Sequence, residues 1–352
     1  MAAARSTPYL TAFVMAHARS DYLAAAVASA LDQTLDRAEY EVLVVKDYVD
    51  PELDRTLADR GVRVVTEELP RMGQMRARGI ELARGEVVCF LDDDDRFRPE
   101  KLAGVVSAFR ADPNLSFLHH TADAIDDRGR PLPYWARARP RPPAPRTIDP
   151  AHEGARAQPW IARYGGYLNV SSTAVRRAAL VPHLAGLAEI TASDDLYLPV
   201  ATLLSGGHQR FETAPWTEVR IRLSTSHRLL ATGTLESELA ELRRAERTAR
   251  LLAERVAAEP TDGLARRVVY AFLWEVRTAQ YLLDRTARLG LGNWAGFGRS
   301  ILWRRQRYLL RDWALATVRP LLPGPVTRYY RRRRAADLGG ARPVGETADS
   351  LK

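Results

Sequence analysis

Lysine is nearly absent from this 352-residue chain. It occurs only at Lys46, Lys101 and Lys352, so 49 of the 52 basic residues are arginines. Arginine grips phosphate and carboxylate in a planar fork, which suits an anionic substrate, nucleic acid or anionic lipid. A GC-rich genome gives the same bias with no function attached. Cysteine occurs once, at Cys89. That excludes an internal disulfide and any multi-cysteine zinc site, and it fits a reducing compartment. No apolar run approaches the ~18 residues of a membrane span. Arg5, the apolar run Tyr9 to Met15 and Ala16-His17-Ala18 imitate a signal peptide with an A-x-A cleavage site. A first buried strand over Leu10 to Ala16 is the expectation, because the order that follows requires it.

What is present is globular. The chain is 46% hydrophobic and 27% charged, with a net charge of +9. Its length allows one large domain or two ordinary ones. After the first strand, helical pattern runs from Tyr22 to Gln33, a strand from Glu41 to Val45, and a polar helix from Pro51 to Asp59. A short strand at Val62 to Val65 and a helix from Met72 to Arg84 follow, the helix ended by Gly85. This β-α-β-α order predicts an α/β fold with a Rossmann-like, mostly parallel, doubly wound sheet.

The run Val87-Val88-Cys89-Phe90-Leu91-Asp92-Asp93-Asp94-Asp95 carries the most information. Five apolar residues read as a buried parallel strand. Four carboxylates then arrive at its C-terminal end, where ligands sit in open α/β sheets. Adjacent carboxylates repel one another and contribute nothing to a core. A hard divalent cation bound to phosphate oxygens would neutralise them. If the strand geometry continues, Asp92 and Asp94 share a face and Asp93 points the other way.

Several segments, in order, resemble the inverting nucleotide-sugar glycosyltransferases of family two, which have the GT-A fold. Val14 to Leu23 is similar to that family's first strand and turn, and Ala30-Leu-Asp-Gln-Thr34 to its "S-L-x-Q-T". Val44-Val-Lys-Asp47 stands where the family has "V-V-D-D-G-S". Gly73 to Gly85 is similar to "G-x-x-x-A-R-N-x-G-I-x-x-A-x-G", and Phe90 to Leu102 to "F-L-D-x-D-D-x-x-x-P-x-x-L". Ser193-Asp194-Asp195 resembles the acceptor motif "(T/G)-E-D". His17-Ala18, Tyr48-Val49 and Ala77 depart from the pattern, and all three touch the nucleotide pocket.

The resemblance implies transfer of a sugar from a nucleoside diphosphate, a UDP-sugar by family habit, to a hydroxyl of a glycan or lipid-linked saccharide. The implied cofactor is Mn2+ or Mg2+. Asp94 is the first choice of metal ligand and Asp92 the second, with His227 near the metal or diphosphate. Ala16, His17, Asp47, Arg76, Asp93 and Asp94 would bind the donor: Asp47 the base, Asp93 the ribose, Arg76 a phosphate. Asp195, with Asp194 beside it, would take the acceptor proton, and like-charge repulsion would raise one pKa. Asp95 either caps the helix at Pro99 or contacts the acceptor. Trp160 and Tyr167 are either a stacking platform for the acceptor sugar or core. His119 and His120 are expected at a strand edge with no zinc role.

The domain expected over residues 1–230 contains a Pro- and Arg-rich stretch, about 127–159, that reads as a flexible loop or lid rather than core. Residues 231–335 read as an amphipathic helical region, and 336–352 as a disordered tail. Trp294, Trp303, Tyr308 and Trp313 lie among arginines, and Arg331 to Arg334 form a run. That region is a packed subdomain, an oligomer interface, or a surface for peripheral contact with an anionic membrane. The expected location is the cytoplasm or the inner membrane face. No nucleic-acid motif is present, and none is expected as partner. A degenerate scaffold, or a basic membrane- or nucleic-acid-binding protein, is the alternative to an enzyme.

Overall fold

The computed structural model describes residues 7–18, 21–132, 141–164, 169–221, 235–260, 263–284, 286–304 and 307–339. The chain forms two compact units, Met1–Arg220 with Arg247–Tyr270, and Ile221–Glu246 with Ala271–Lys352.

The first unit begins with β1 (Leu10–Ala16), all seven residues of which are buried. Helix α1 (Leu23–Leu31) buries Leu23, Ala26, Val27 and Ala30, the i, i+3, i+4, i+7 stripe of a helix lying on a sheet. Strand β2 (Tyr40–Lys46) and helix α2 (Pro51–Asp59) follow. Asp50 caps α2 by accepting from the Leu53 N–H at 3.1 Å, with Pro51 in the first turn. Then come β3 (Arg63–Thr66), α3 (Met72–Leu82) and β4 (Val87–Asp92). Helix α3 sits close to its neighbours because two of its residues lack a Cβ. One on Gly79 would lie 2.1 Å from the Phe13 ring, and one on Gly73 would lie 2.0 Å from the Leu187 carbonyl oxygen.

Beyond β4 lie β5 (Arg96–Phe97), α4 (Lys101–Ala111), β6 (Leu115–Ile125), β7 (Arg146–Ile148) and α5 (Gln158–Tyr164). They are followed by β8 (Thr173–Arg176), α6 (Leu184–Glu189), α7 (Asp194–Leu204) and β9 (His208–Arg220). Among the described residues nine strands form one sheet in the order β3-β2-β1-β4-β8-β6-β9-β5, with β7 on β9. The expected α/β architecture is present, and its parallel part is β3-β2-β1-β4. The other half is mixed: β8 runs antiparallel to β4 and β6, while β6 and β9 are parallel.

Two expectations need correction here. The Pro- and Arg-rich stretch is not wholly outside the core, since Ile148 and Ala157 are both fully buried in the main apolar cluster. Its prolines start the turn at Asp149-Pro150 and the helix at Pro159 rather than break them. His119 and His120 are not at an edge. Their strand lies between β8 and β9, and His120 is fully buried against Trp216.

Two long helices, α8 (Leu235–Arg255) and α9 (Leu264–Leu283), are shared between the units. Leu252, Val256, Leu264, Ala265 and Val269 complete the core of the first unit. The helical region expected to begin at 231 therefore donates part of itself to the first unit. The second unit is α-helical, adding α10 (Leu291–Arg304), α11 (Arg307–Val318) and α12 (Pro323–Gly339). Its core holds Leu239, Leu242, Val276, Leu282, Ala316 and Tyr330. Helix α12 runs four residues into the stretch expected to be disordered, and 340–352 lie outside the described residues. No helix among the described residues is long and apolar enough to cross a membrane.

Candidate functional site

Three parallel strands end together. Ala16 pairs with Lys46 across β1 and β2, and Met15 pairs with Asp92 across β1 and β4. The residues that follow, His17, Asp47 and Asp93, therefore leave the same edge of the sheet. Asp47 accepts the Ala18 N–H at 2.8 Å and contacts the His17 ring, closing the turn after β1. Ala18 has a left-handed φ of 55°, so this bond holds a strained turn in place. Ala16 is fully buried and offers a ligand only its main chain.

The four aspartates alternate in exposure. Asp92 and Asp94 are half-buried, whereas Asp93 and Asp95 are each 4% exposed. Asp93 lies by Tyr48, whose phenol is pushed up by burial and by Asp93, Asp50, Asp54 and Asp47. The Asp92 N–H donates to Ser171 Oγ at 3.0 Å, fixing the end of β4 to the turn before β8.

Asp95 faces inward and holds the site together. Its Oδ1 accepts the Arg220 N–H at 2.8 Å, while Arg220 Nε donates to the Asp94 carbonyl at 2.9 Å. Arg220 also reaches the carbonyls of Asp126 and Asp127 at 2.6 and 3.1 Å and lies over the Tyr22 ring. Burial, then Asp94 and Asp92, push the Asp95 carboxyl well above the usual range. This corrects the expectation that Asp95 caps the helix after Pro99; the carboxyl is buried and bonded to Arg220 instead. The α4 N-terminus is served by Gln33, whose Oε1 accepts the Leu102 N–H at 3.0 Å and whose Nε2 donates to the Arg98 carbonyl at 3.0 Å. Those bonds give the Ala30–Thr34 motif its physical reason, joining α1 to the segment that follows the aspartates.

Beneath the aspartates is a fully buried Lys101. Its Nζ donates to the Ser171 carbonyl at 2.5 Å and to Thr217 Oγ1 at 3.2 Å, and lies 3.5 Å from the Phe97 ring centre. Desolvation lowers its pKa to about 7, against the pull of Cys89 and Asp95. The same burial, with Lys101 nearby, holds His120 well below its usual value.

Arg76 also stands apart from its expected role of forking a phosphate. It is 1% exposed and donates to two carboxylates, Nη2 to Asp92 at 3.0 Å and Nε to Asp194 at 3.0 Å. The rings of Phe13 and Phe90 flank it. It thereby joins the end of β4 to the first turn of α7. Desolvation pushes the Asp194 carboxyl up, and Arg76 pulls the other way. Among the described residues no ion pair joins Asp195, beside it, to a cation. Desolvation, then Asp194 and Asp92, raise it to about 7. Ser193, just before α7, has a left-handed φ of 62°. Thr248 Oγ1 of α8 donates to the Ala192 carbonyl at 2.7 Å and steadies that turn.

The structure thus groups Ala16, His17, Asp47, Asp92, Asp93, Asp94, Asp194 and Asp195 at the C-terminal edge of the parallel strands. Trp160 is elsewhere. Its ring packs on Phe211 and Tyr164 with Arg146 over it, so it is part of the core periphery rather than an open stacking platform. His227 and Tyr167 lie outside the described residues. Arg220, Lys101, Ser171 and Gln33 escaped the sequence reading. For Arg220 and Lys101 the pattern misleads, because a basic residue at a strand end or at a helix start ordinarily faces solvent. Gln33 alone had a signal, the motif that contains it.

Among the described residues no three His, Cys, Asp or Glu side chains stand where they could hold a metal between them. Asp94, with Asp92, still fits a divalent ion of the Mg2+ type. Such an ion takes one or two carboxylates and completes its shell with substrate phosphates and water.

Residues 11–160 match the family described as Glycosyl transferase family 2. A Nostoc protein, named an uncharacterized glycosyltransferase, is 30% identical over 118 residues, which is 32% of this chain and 35% of that protein. The chain aligns with between 35% and 38% of the length of the first curated relatives. Among solved structures, Staphylococcus aureus TarS 1–349 in complex with UDP-GlcNAc superposes with a TM-score of 0.54 at 17% identity, over 94% of this chain and 89% of that one. The mannosyltransferase PcManGT of Pyrobaculum calidifontis, in complex with GDP-Man and Mn2+, gives 0.53 at 16%, over 96% and 89%. These likenesses agree with a GT-A fold.

Proposed function

We propose that this chain, whose residues 11–160 match the family 2 glycosyl transferases, is a metal-dependent inverting glycosyltransferase. It would move a sugar from a nucleoside diphosphate, UDP in the first instance, to a hydroxyl of a glycan or lipid-linked saccharide at the inner membrane face. One observation carries the reading. Asp195 follows Asp194 in the first turn of α7, which Arg76 ties to Asp92 at the end of β4, and desolvation with Asp194 and Asp92 raises its carboxyl to about 7.

A base works best when its pKa lies near the working pH. Asp195 meets that condition by desolvation, while its neighbour Asp194 is committed to Arg76. Asp195 takes the acceptor proton as the hydroxyl attacks the anomeric carbon and the bond to the diphosphate breaks. Asp94, with Asp92, would hold the divalent ion, which when bound offsets the negative charge growing on the leaving diphosphate. Asp93 and Asp47 line the nucleotide side, Asp93 toward ribose and Asp47 toward the base. The Asp47–His17 contact engages that carboxylate, so a base N–H would compete with the imidazole for it. Calorimetric titration of UDP and GDP, with manganese and then with EDTA, tests the reading. Manganese-dependent binding of one nucleotide is expected. Failure of both to bind would overturn it.

A further inference from the structure

Among the described residues the second unit exposes an apolar helix face. On α11, Leu309, Asp312 and Ala316 turn inward. Leu310 is 54% exposed, Trp313 40% and Val318 42%. The helix is extended by a turn in which the Leu321 and Leu322 N–H groups donate to the Val318 carbonyl at 3.0 and 3.2 Å, and Leu321 is 81% exposed. Positions 310, 313, 314, 317, 318 and 321 follow helical spacing, and all are exposed. An amphipathic helix of a globular unit ordinarily buries such a stripe.

The charge is concentrated in the same place. Residues 285–340 contain 13 arginines against two acids, Asp312 and Asp337, a surplus of eleven in a chain whose net charge is only +9. The rest of the molecule is therefore slightly acidic. Asp312 is buried beside Arg311, whose Nε donates to it at 2.8 Å. Arg299, Arg328, Arg331, Arg332 and Arg333 are exposed. Among the described side chains from 286 to 333 no carboxylate is exposed.

We propose that this helical face docks on an anionic lipid bilayer. Leu310, Trp313, Val318 and Leu321 would enter the headgroup–acyl boundary, and the arginines would meet lipid phosphates. A second copy of the chain is a poorer occupant, because arginine-rich surfaces would oppose each other. Nucleic acid would satisfy the arginines and leave the apolar stripe without a partner. The inference concerns the second unit and does not rest on the glycosyltransferase reading.

The test uses the full chain with vesicles of phosphatidylcholine alone and with phosphatidylglycerol added, read by co-sedimentation. Binding is expected only to the anionic vesicles, and high salt should weaken it. Leu310→Ser with Leu321→Ser, both at exposed positions, should lower binding by about tenfold or more. Arg331→Ala, Arg332→Ala and Arg333→Ala together should lower it by about fivefold per arginine. Circular dichroism and nucleotide titration should be unchanged in both variants. Equal binding to both vesicle types, or to neither, overturns the proposal. So does a dimer that the two serine substitutions dissociate while vesicle binding persists.

Discussion

Arg76 on α3 and Asp194 in the first turn of α7, 118 residues apart in sequence, form a buried two-point ion pair, with Nε and Nη2 at 3.0 and 2.9 Å from the same carboxylate oxygen. The same guanidinium holds Asp92. One buried cation therefore sets the distance between the aspartates that end β4 and the helix that carries Asp195.

Removing that cation should be costly. Arg76→Ala leaves the Asp194 carboxylate buried and uncompensated, with an expected loss of about 3–5 kcal/mol in denaturant unfolding. The loss should shrink at low pH. Protonation of Asp194 then removes the unpaired charge.

Asp195→Asn separates binding from turnover. Nucleotide affinity should stay near that of the unmodified protein, and turnover should fall by about 10²–10⁴. In the unmodified protein kcat/KM should climb through pH 7, because only the ionised carboxyl accepts a proton. The stability sign is opposite. A carboxyl raised in the folded state favours folding while protonated, and that contribution is lost as pH rises from about 4 through about 7. The asparagine variant should therefore be the more stable protein at pH 8, by at least about 1 kcal/mol, the worth of one pKa unit. Thermal unfolding at pH 5 and pH 8 checks both signs.

Asp94→Asn should abolish most manganese-dependent nucleotide binding and leave unfolding temperature nearly unchanged, since its side chain is half-buried at the sheet edge. Calorimetry with and without manganese reads this directly. Unchanged binding would remove Asp94 from the site.

Lys101 gives a separate pH signature. Its folded-state pKa is lowered from 10.5 to about 7. Between those values the unfolded chain holds a proton that the folded chain does not, so stability should rise with pH across that window. Lys101→Met should abolish the rise. Urea unfolding at pH 7 and pH 9.5 distinguishes the two proteins.

Much of this was legible in the residues. Leu10–Ala16 and Val87–Leu91 are apolar on both faces, and only a strand buried in a parallel sheet uses such a run. Four carboxylates after it fixed where the site lies, and alternation along the chain put Asp92 and Asp94 on one side. The strands β6 and β9 were not legible over most of their length. His119, His120 and Asp123 interrupt the apolar pattern of one, and polar residues alternate through the other, so their burial comes from pairing with each other.

The sequence by itself determined the α/β class, the edge of the sheet where the aspartates gather, and their identity, because strand periodicity and local charge are properties of neighbouring residues. Only the tertiary structure decided which aspartates are available. Asp95 turned inward to Arg220, Asp194 was engaged by Arg76, Trp160 went to the core, and desolvation with Asp194 and Asp92 raised the Asp195 carboxyl. Those outcomes depend on partners about 50 to 125 residues away, and desolvation by them cannot be read along the chain.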